Sequence, residues 1–577
     1  MTDALHRTEA HGTDVAPSRA PLIGRRAWRA WKKRPTLFCD TLLHLADRYR
    51  YVWFGVLLVT YLAGFNGQWR AEPDSALYLT IARNLATGAG YTYHGEHHDL
   101  AYPGLPWMMA GVFKVFGTES MMPAHVLMMG LGLFALALNY RIFLLFGGRP
   151  LAVVMTCGLG FTRIFYRYAF QLMTDMPFLV GVLAFFAGYE ALRASHRKKV
   201  STEGATGVTS VGGVRVFDWA LMTCGLALVL VTRPAMYAFV PVVLLAAIAS
   251  ALRGRKRLAA VMVNEHHARS VGSQETELTT RRVARGVNWR WPVVGFLIIA
   301  MGVAFYVLDP RRASTSSEMG GYEEFVLQQY TTHVDQLRER IVEQNIPELL
   351  RAVVTEALFG IELGPWVTPV MSVVLLVLGL AVTRERPLWG LWLAATLAMM
   401  IFILPVDRYL LPVLPVLIYG WWRGISRLNR WLWKPWGDIA FVLLLLLGMG
   451  ANVTRVGAFV RDQQRDDFYA HYKDGRYAPL IDMAGAIREH VGPGDLVLAP
   501  TKTARVLTFW TDRRVNEVLE YTKIDITRQR IWVVCDPTER EKTIDAWLPG
   551  LGIYPGPVVA RVEREGLPPM TLHRALR

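Results

Sequence analysis

Apolar runs alternate with short polar or basic breaks along most of the chain. Several reach or approach the roughly 17–25 residues that cross a bilayer as a helix. The runs read from the sequence are Tyr51–Gly67, Pro123–Phe146, Leu151–Tyr168, Met176–Leu192, Phe217–Val231, Ala235–Leu252, Trp291–Leu308, Val367–Val382, Leu388–Leu404, Tyr409–Trp422 and Ile439–Phe459. Pro103–Gly117 is the ambiguous segment. Its length of about 15 residues gives some 22 Å of helix, against a hydrocarbon core of about 30 Å.

Charge placement resolves it. With 103–117 lying along the surface, the basic breaks at Arg149, at Arg193–Lys199, at Arg253–Arg257, at Arg384 and Arg386, and at Arg423–Lys434 all fall on the side of the basic N-terminus. That is the distribution expected of cytoplasmic loops. If 103–117 crossed the membrane, every later basic loop would face outward. The expectation is therefore about eleven spans with the C-terminus outside. Residues 1–50 form a cytoplasmic basic N-terminus, and residues 51–460 form a transmembrane domain. That domain carries external loops at 68–122 and 310–365, and residues 461–577 form an external soluble α/β domain.

The loop after the first span is patterned differently. Glu72-Pro73-Asp74 opens a segment with apolar residues at Ala76, Leu77, Leu79, Ile81, Ala82 and Leu85, the spacing of an amphipathic helix. Gly88 and Gly90 supply its stop. Pro103-Gly-Leu-Pro106 then introduces the surface helix that ends at Gly117. In the second external loop, Tyr322–Ala357 has helical periodicity. The breaks at 195–216 and 253–290 read as flexible linkers. After about Arg461 the hydropathy falls. Ala478–His490 reads as an amphipathic helix, Asp495–Ala499, Ile531–Cys535 and Val558–Val562 as strands, and 538–547 as a helix, giving a small α/β unit.

Composition agrees with a membrane chain: 577 residues, 53% hydrophobic, with a mean hydropathy of +0.25. The net charge of +16 follows the one-sided loops and calls for no nucleic-acid partner. Cys39, Cys157, Cys224 and Cys535 are scattered, with no CxxC spacing for zinc and no disulfide framework. No short apolar region followed by a cleavage site precedes Tyr51, so the first run reads as a retained span.

The candidate chemistry lies at the outer ends of the spans. Asp74 opens the first surface helix, and Asp175 sits in Thr174-Asp-Met-Pro177. Arg233 sits in Thr232-Arg-Pro234, and Asp407 and Arg408 sit in Pro405-Val-Asp-Arg-Tyr409. Charges at such positions in a membrane protein are functional candidates by default, because burying them is costly. Plainer readings stand beside this. Each aspartate could cap a helix, and each arginine could anchor at the headgroups. Arg83 could meet lipid phosphate. His94, Glu96, His97, His98 and Asp99 are adjacent on a loop and read as solvated surface before they read as a metal site.

The run from Pro73-Asp74 through Tyr78, Ala82-Arg83-Asn84, Gly88 and Gly90-Tyr91 resembles the first external loop of GT-C fold glycosyltransferases. The similarity is to the superfamily of protein O-mannosyltransferases and aminoarabinose lipid A transferases. Thr174-Asp175-Met-Pro177, Thr232-Arg233-Pro234 and Arg408-Tyr409-Leu-Leu-Pro412 resemble its later motifs in order and spacing.

The resemblance implies an α-helical polytopic GT-C enzyme of the bacterial inner membrane. It would transfer one sugar from a polyprenyl-phosphate donor to a glycan, lipid or protein acceptor on the outer side. Asp74 takes the place of the catalytic base, with inversion at the anomeric carbon, and Asp175 that of the second carboxylate. Arg233 and Arg408 are the expected donor-phosphate partners, with Tyr78, Arg83, Asp407 and Tyr409 completing the candidate set. A divalent metal held by Asp74 and Asp175 is left open.

Two departures from the family pattern stand out. Ser75 occupies the place of a common glutamate, and Ala101-Tyr102 the place of a Glu-Lys pair, so no lysine contact to the phosphate is carried over. The alternative reading is a transporter or lipid-linked-sugar flippase. Such proteins keep their charges near the bilayer midplane between related halves, and no matching halves are visible.

Overall fold

Among the described residues the apolar runs fold as helices, but several continue through the basic breaks: Met122–Gly160 passes Arg149, Asp175–Thr206 includes Arg193–Lys199, and Leu414–Leu432 includes Arg423 and Arg430. The computed structural model describes residues 43–98, 101–118, 120–206, 216–249, 337–358, 363–403, 406–432, 434–465, 467–472, 475–517, 530–537 and 548–576, with isolated positions at 41, 252, 300, 301 and 303. The basic stretch 1–40, most of the run Trp291–Leu308, the linker at 253–290, residues 322–336 of the periodic stretch and the helix expected at 538–547 lie outside the described residues. Of the linker expected at 195–216, residues 195–206 instead continue a helix and 207–215 lie outside the described residues.

The membrane body consists of α1 (Arg50–Ala63), α4 (Met122–Gly160), α5 (Asp175–Thr206), α6 (Val216–Thr232), α7 (Met236–Ala249), α8 (Val367–Leu380), α9 (Pro387–Phe402), α10 (Leu414–Leu432) and α11 (Lys434–Gln463). The surface helices are α2 (Pro73–Thr87) and α3 (Gly104–Phe116). Four segments are long and apolar enough to cross a membrane among the described residues: Met122–Gly160, Asp175–Ser195, Val367–Glu385 and Leu443–Gln463. Helix α4 contains two of the expected runs, joined at a kink where Gly148 takes φ 80° and Pro150 follows.

The second of those runs stops earlier than its hydropathy suggests. It ends at Gly160, and Arg163–Tyr168 forms a separate short helix. There the Arg163 backbone N–H donates to Asn452 Oδ1 at 2.8 Å and the guanidinium pairs with Glu356 at 3.2 Å. The run expected from Tyr409 opens as a 3₁₀ turn, Asp407–Val413, before α10 begins. Pro412 lies within that turn and has no N–H to give an α-helical ladder.

The Asp175–Ser195 segment of α5 is almost wholly buried, whereas α8 turns Val370, Val373 and Val377 outward and α11 turns Leu443, Leu446 and Leu447 outward. In water such faces would be a liability. In lipid they are the solvent-facing surface. Aromatic side chains fill the interior, with Phe186 against Trp389 at 4.7 Å and Phe239 against Trp392 at 5.0 Å between ring centroids.

Beyond α11 the chain forms a five-stranded sheet in the order β4-β3-β5-β7-β6. Its strands are β3 (Leu496–Ala499), β4 (Val515–Glu517), β5 (Ile531–Cys535), β6 (Tyr554–Arg564) and β7 (Leu567–Leu576); β1 (Thr92–Tyr93) and β2 (Glu96–His97) make a small hairpin after α2. Strands β3, β4 and β5 pair in parallel, and β7 pairs antiparallel with both β5 and β6. The parallel strands β3 and β5 are buried and almost wholly apolar, β4 is buried but carries Asn516 and Glu517, and β6 is a largely exposed edge. Helix α12 (Ala478–His490) is the expected one. Helix α13 (Thr501–Thr511), between β3 and β4, was not visible in the pattern, and it packs on α2.

Candidate active site

Asp74 is the second residue of α2. Pro73 starts the helix at a position where a missing N–H costs nothing. The Glu72 carboxylate and the Ser75 hydroxyl form a reciprocal capping box. Trp69 Nε1 also donates to Ser75 Oγ, at 3.1 Å. Ser75 is thus fully buried and fixes the turn that carries Asp74. Gly88, at φ 87°, ends the helix in the left-handed conformation.

Two arginines from distant parts of the chain meet this carboxylate. Arg408 Nη1 donates to Asp74 Oδ2 at 2.9 Å, and Arg505 Nη1 donates to Oδ1 at 3.4 Å. The 3₁₀ turn presents Arg408, whose backbone N–H donates to Asp407 Oδ1 at 2.7 Å. Arg505 comes from α13, and Glu517 at the end of β4 holds its Nε at 2.5 Å. Burial alone would raise the Asp74 carboxyl. The charge and hydrogen bond of Arg408, with the charges of Arg505 and Arg233, outweigh it and hold the group below its ordinary value.

Asp175 starts α5 and pairs with Arg233, which follows α6; both are buried. The Arg233 guanidinium also lies over the Tyr409 ring, 4.3 Å from its centroid. One short motif therefore serves both pairs: Asp407 orients Arg408, and Tyr409 supports Arg233. The surface helix α3 closes against the same corner. A Cβ on Gly104 would come within 2.7 Å of the Val231 carbonyl oxygen, so the backbone approach requires glycine. Tyr78 lies one turn beyond Asp74 on α2, and burial with the Asp74 charge pushes its hydroxyl up to about 12.

Asp74, Asp175, Arg233, Arg408, Asp407, Tyr409 and Tyr78 therefore converge. Arg83 does not. Its Nη1 donates to the Phe509 carbonyl at 3.1 Å, and its Nη2 pairs with Asp512 at 3.1 Å, which fastens α2 to α13. His94, Glu96, His97 and His98 lie on or beside the β1–β2 hairpin, and Asp99 is outside the described residues. Burial, Arg514, His98 and Arg505 depress the His94 imidazole to about 3, leaving it neutral.

The unpaired carboxylates that a divalent metal site needs are missing here. Both Asp74 oxygens face guanidiniums, and Asp175 Oδ1 faces Arg233. Asp175 Oδ2 is buried without a hydrogen-bond partner, but it is a single oxygen. Among the described residues, no group of three or more His, Cys, Asp or Glu comes together as a metal would require. These residues do not fit a divalent ion.

Three contributors were not found by sequence reasoning: Arg505, Glu517 and Arg167. Arg167 sits 3.8 Å from both Glu72 and Asp407 and ties the two turns beside Asp74 together. No short-range pattern marks any of them.

A helical membrane body, two surface helices carrying a carboxylate, and a sheet domain packed over them together make a GT-C fold, and that is the fold of this chain. Among solved structures it is similar to ArnT from Cupriavidus metallidurans bound to undecaprenyl phosphate, with TM-score 0.51 and 15% identity over 91% of this chain and 97% of that one. The same protein in its apo state gives TM-score 0.48 at 14% identity, covering 92% and 98%. The Archaeoglobus fulgidus oligosaccharyltransferase tethered with an acceptor peptide gives TM-score 0.48 at 10% identity, covering 90% and 74%. No protein-family model and no curated protein sequence matches the chain.

Proposed function

We propose that this protein is a membrane glycosyltransferase that moves a single sugar from a polyprenyl-phosphate donor to an acceptor hydroxyl on the outer side of the membrane. The observation that carries the reading is a carboxylate at a helix N-terminus, gripped by guanidiniums from two separate parts of the chain, at one end of an apolar helix bundle. Asp74 accepts the proton of the acceptor hydroxyl as its oxygen attacks the anomeric carbon. The bond from that carbon to the phosphate oxygen breaks, and the polyprenyl phosphate leaves with the electron pair. Direct displacement inverts the anomeric configuration.

Arg408 answers an objection to this role. A carboxylate held by two arginines is a poor base. A donor phosphate is a better bidentate partner for guanidinium, so its arrival draws Arg408 away from Asp74. The carboxylate becomes more basic once the donor is in place, and the arginine then faces the oxygen on which charge develops. Asp175 and Arg233, buried beside it, fix the geometry. The protein would sit in the bacterial inner membrane with residues 1–50 in the cytoplasm, residues 51–460 in the membrane and residues 461–577 outside.

Purified full-length protein incubated with a panel of polyprenyl-phosphate sugars tests the reading. Sugar transfer or release is expected in the wild type and not in Asp74→Asn. Full activity in that variant, or a product of retained configuration, overturns the mechanism. Movement of the lipid-linked sugar across the bilayer without transfer would place the protein among flippases.

A further inference from the structure

Arg70 lies in the loop between α1 and α2. It is 2% exposed, yet its Nη1 is buried without a hydrogen-bond partner and it makes no ion pair among the described residues. Its guanidinium is held by rings, 3.9 Å from the Phe459 centroid and 5.0 Å from that of Phe170. Burial draws it down to about 9, so it keeps its charge at neutral pH. A buried cation with only aromatic faces for company is costly, and such arginines mark places where an anion binds.

Arg70 lines a cavity of about 360 Å³ together with Arg163, Arg167 and Arg455. Two of these are already matched: Arg163 by Glu356 at 3.2 Å, and Arg167 by Glu72 and Asp407 at 3.8 Å. Asp462, also on the wall, lies 3.8 Å from Arg465. Arg70 and Arg455 remain as surplus positive charge. Val456 and Phe459 supply an apolar wall from α11, close to the end of its apolar run, and Arg70 itself follows the end of α1. The cavity therefore joins cationic groups to apolar surface where two membrane helices end.

We propose that this cavity is a second anion site, which takes the phosphate of a membrane lipid at the outer surface and is distinct from the position beside Asp74. Basic pockets between membrane helices bind lipid headgroups in this way. Arg167 is shared between the cavity wall and the Glu72–Asp407 network, so the two sites are one side chain apart. The inference does not depend on the transferase reading.

The test uses the full chain in nanodiscs of phosphatidylglycerol or phosphatidylcholine, with bound lipid read by native mass spectrometry and by titration. Phosphatidylglycerol is expected to be retained in preference, and Arg70→Gln and Arg455→Gln are each expected to weaken it about tenfold or more, the loss of one charge-assisted contact. Arg455 is exposed, so its variant keeps the packing even if Arg70→Gln folds poorly. Arg83→Gln, which lies outside both sites, should bind lipid as the wild type does. Displacement of the lipid by inorganic pyrophosphate supports recognition of the phosphate itself. Equal retention of both lipids, indifference to both arginine substitutions, or binding of pyrophosphate without phosphatidylglycerol overturns the proposal.

Discussion

Asp74 and Asp175 each stand in the first turn of a helix and each faces arginine, but their surroundings differ. The Asp175 side chain is fully buried, with Arg233 as its cation, itself 4% exposed. The Asp74 side chain is one-third exposed and shared by Arg408 and Arg505, which reach it from a membrane-side turn and from the sheet domain. A buried pair cannot change partners without leaving a charge stranded in low dielectric. A pair at the edge of solvent can, because water and an incoming phosphate compensate. The contrast separates a carboxylate locked into the bundle from one whose partners can be exchanged.

The comparison can be broken first at Asp74. Asp74→Asn should lower transfer by about 10²–10⁴-fold, the usual worth of a positioned base, while thermal stability changes little. Arg233→Leu should do the reverse. It strands Asp175 and should cost about 3–5 kcal/mol of stability, measured by thermal or denaturant unfolding in detergent. The double variant Asp175→Leu with Arg233→Leu should recover most of that loss; no recovery would show that the pair does more than neutralise itself.

Arg505→Gln gives a smaller effect with a definite sign. The arginines depress the Asp74 pKa, so the carboxylate stays ionised below the ordinary value of about 3.9. Losing one of them raises that pKa, and kcat/KM should begin to fall at a higher pH on the acid side. An unmoved acid limb would mean that Arg505 does not act on Asp74. Arg83→Gln should have the least consequence, no more than about 1 kcal/mol, because its partner Asp512 is exposed. A large loss of activity there would return Arg83 to the site.

Much of this is legible in the sequence. The amphipathic stripe and Gly88 delimit α2, and basic loops place α3 along the surface. The later motifs resemble the family in the order in which they converge. What escaped was α13. Its segment, TKTARVLTFWT, mixes threonines and a lone arginine with apolar residues, and its helical form depends on packing against α2 and β4. Arg505 was invisible for the same reason, since its relation to Asp74 exists only through that packing. The kink at Gly148 and the early end of α4 escaped too, because hydropathy registers apolar length and not backbone direction. Arg83 misled in the opposite sense. Its place within a recognisable motif suggested chemistry, whereas its partners make it a fastening for the sheet domain.

The reach of Arg505 also has a meaning in time. It lies 431 residues after Asp74. At about 5–20 residues per second of synthesis, roughly twenty to ninety seconds pass between the appearance of the carboxylate and that of its second cation. Through that interval the membrane helices are inserted around a half-furnished aspartate, one that no phosphate-bearing lipid meets in its finished form. Completion of the site is thereby tied to completion of the tail, and a chain interrupted before residue 505 carries the recognisable motifs without the setting that tunes them.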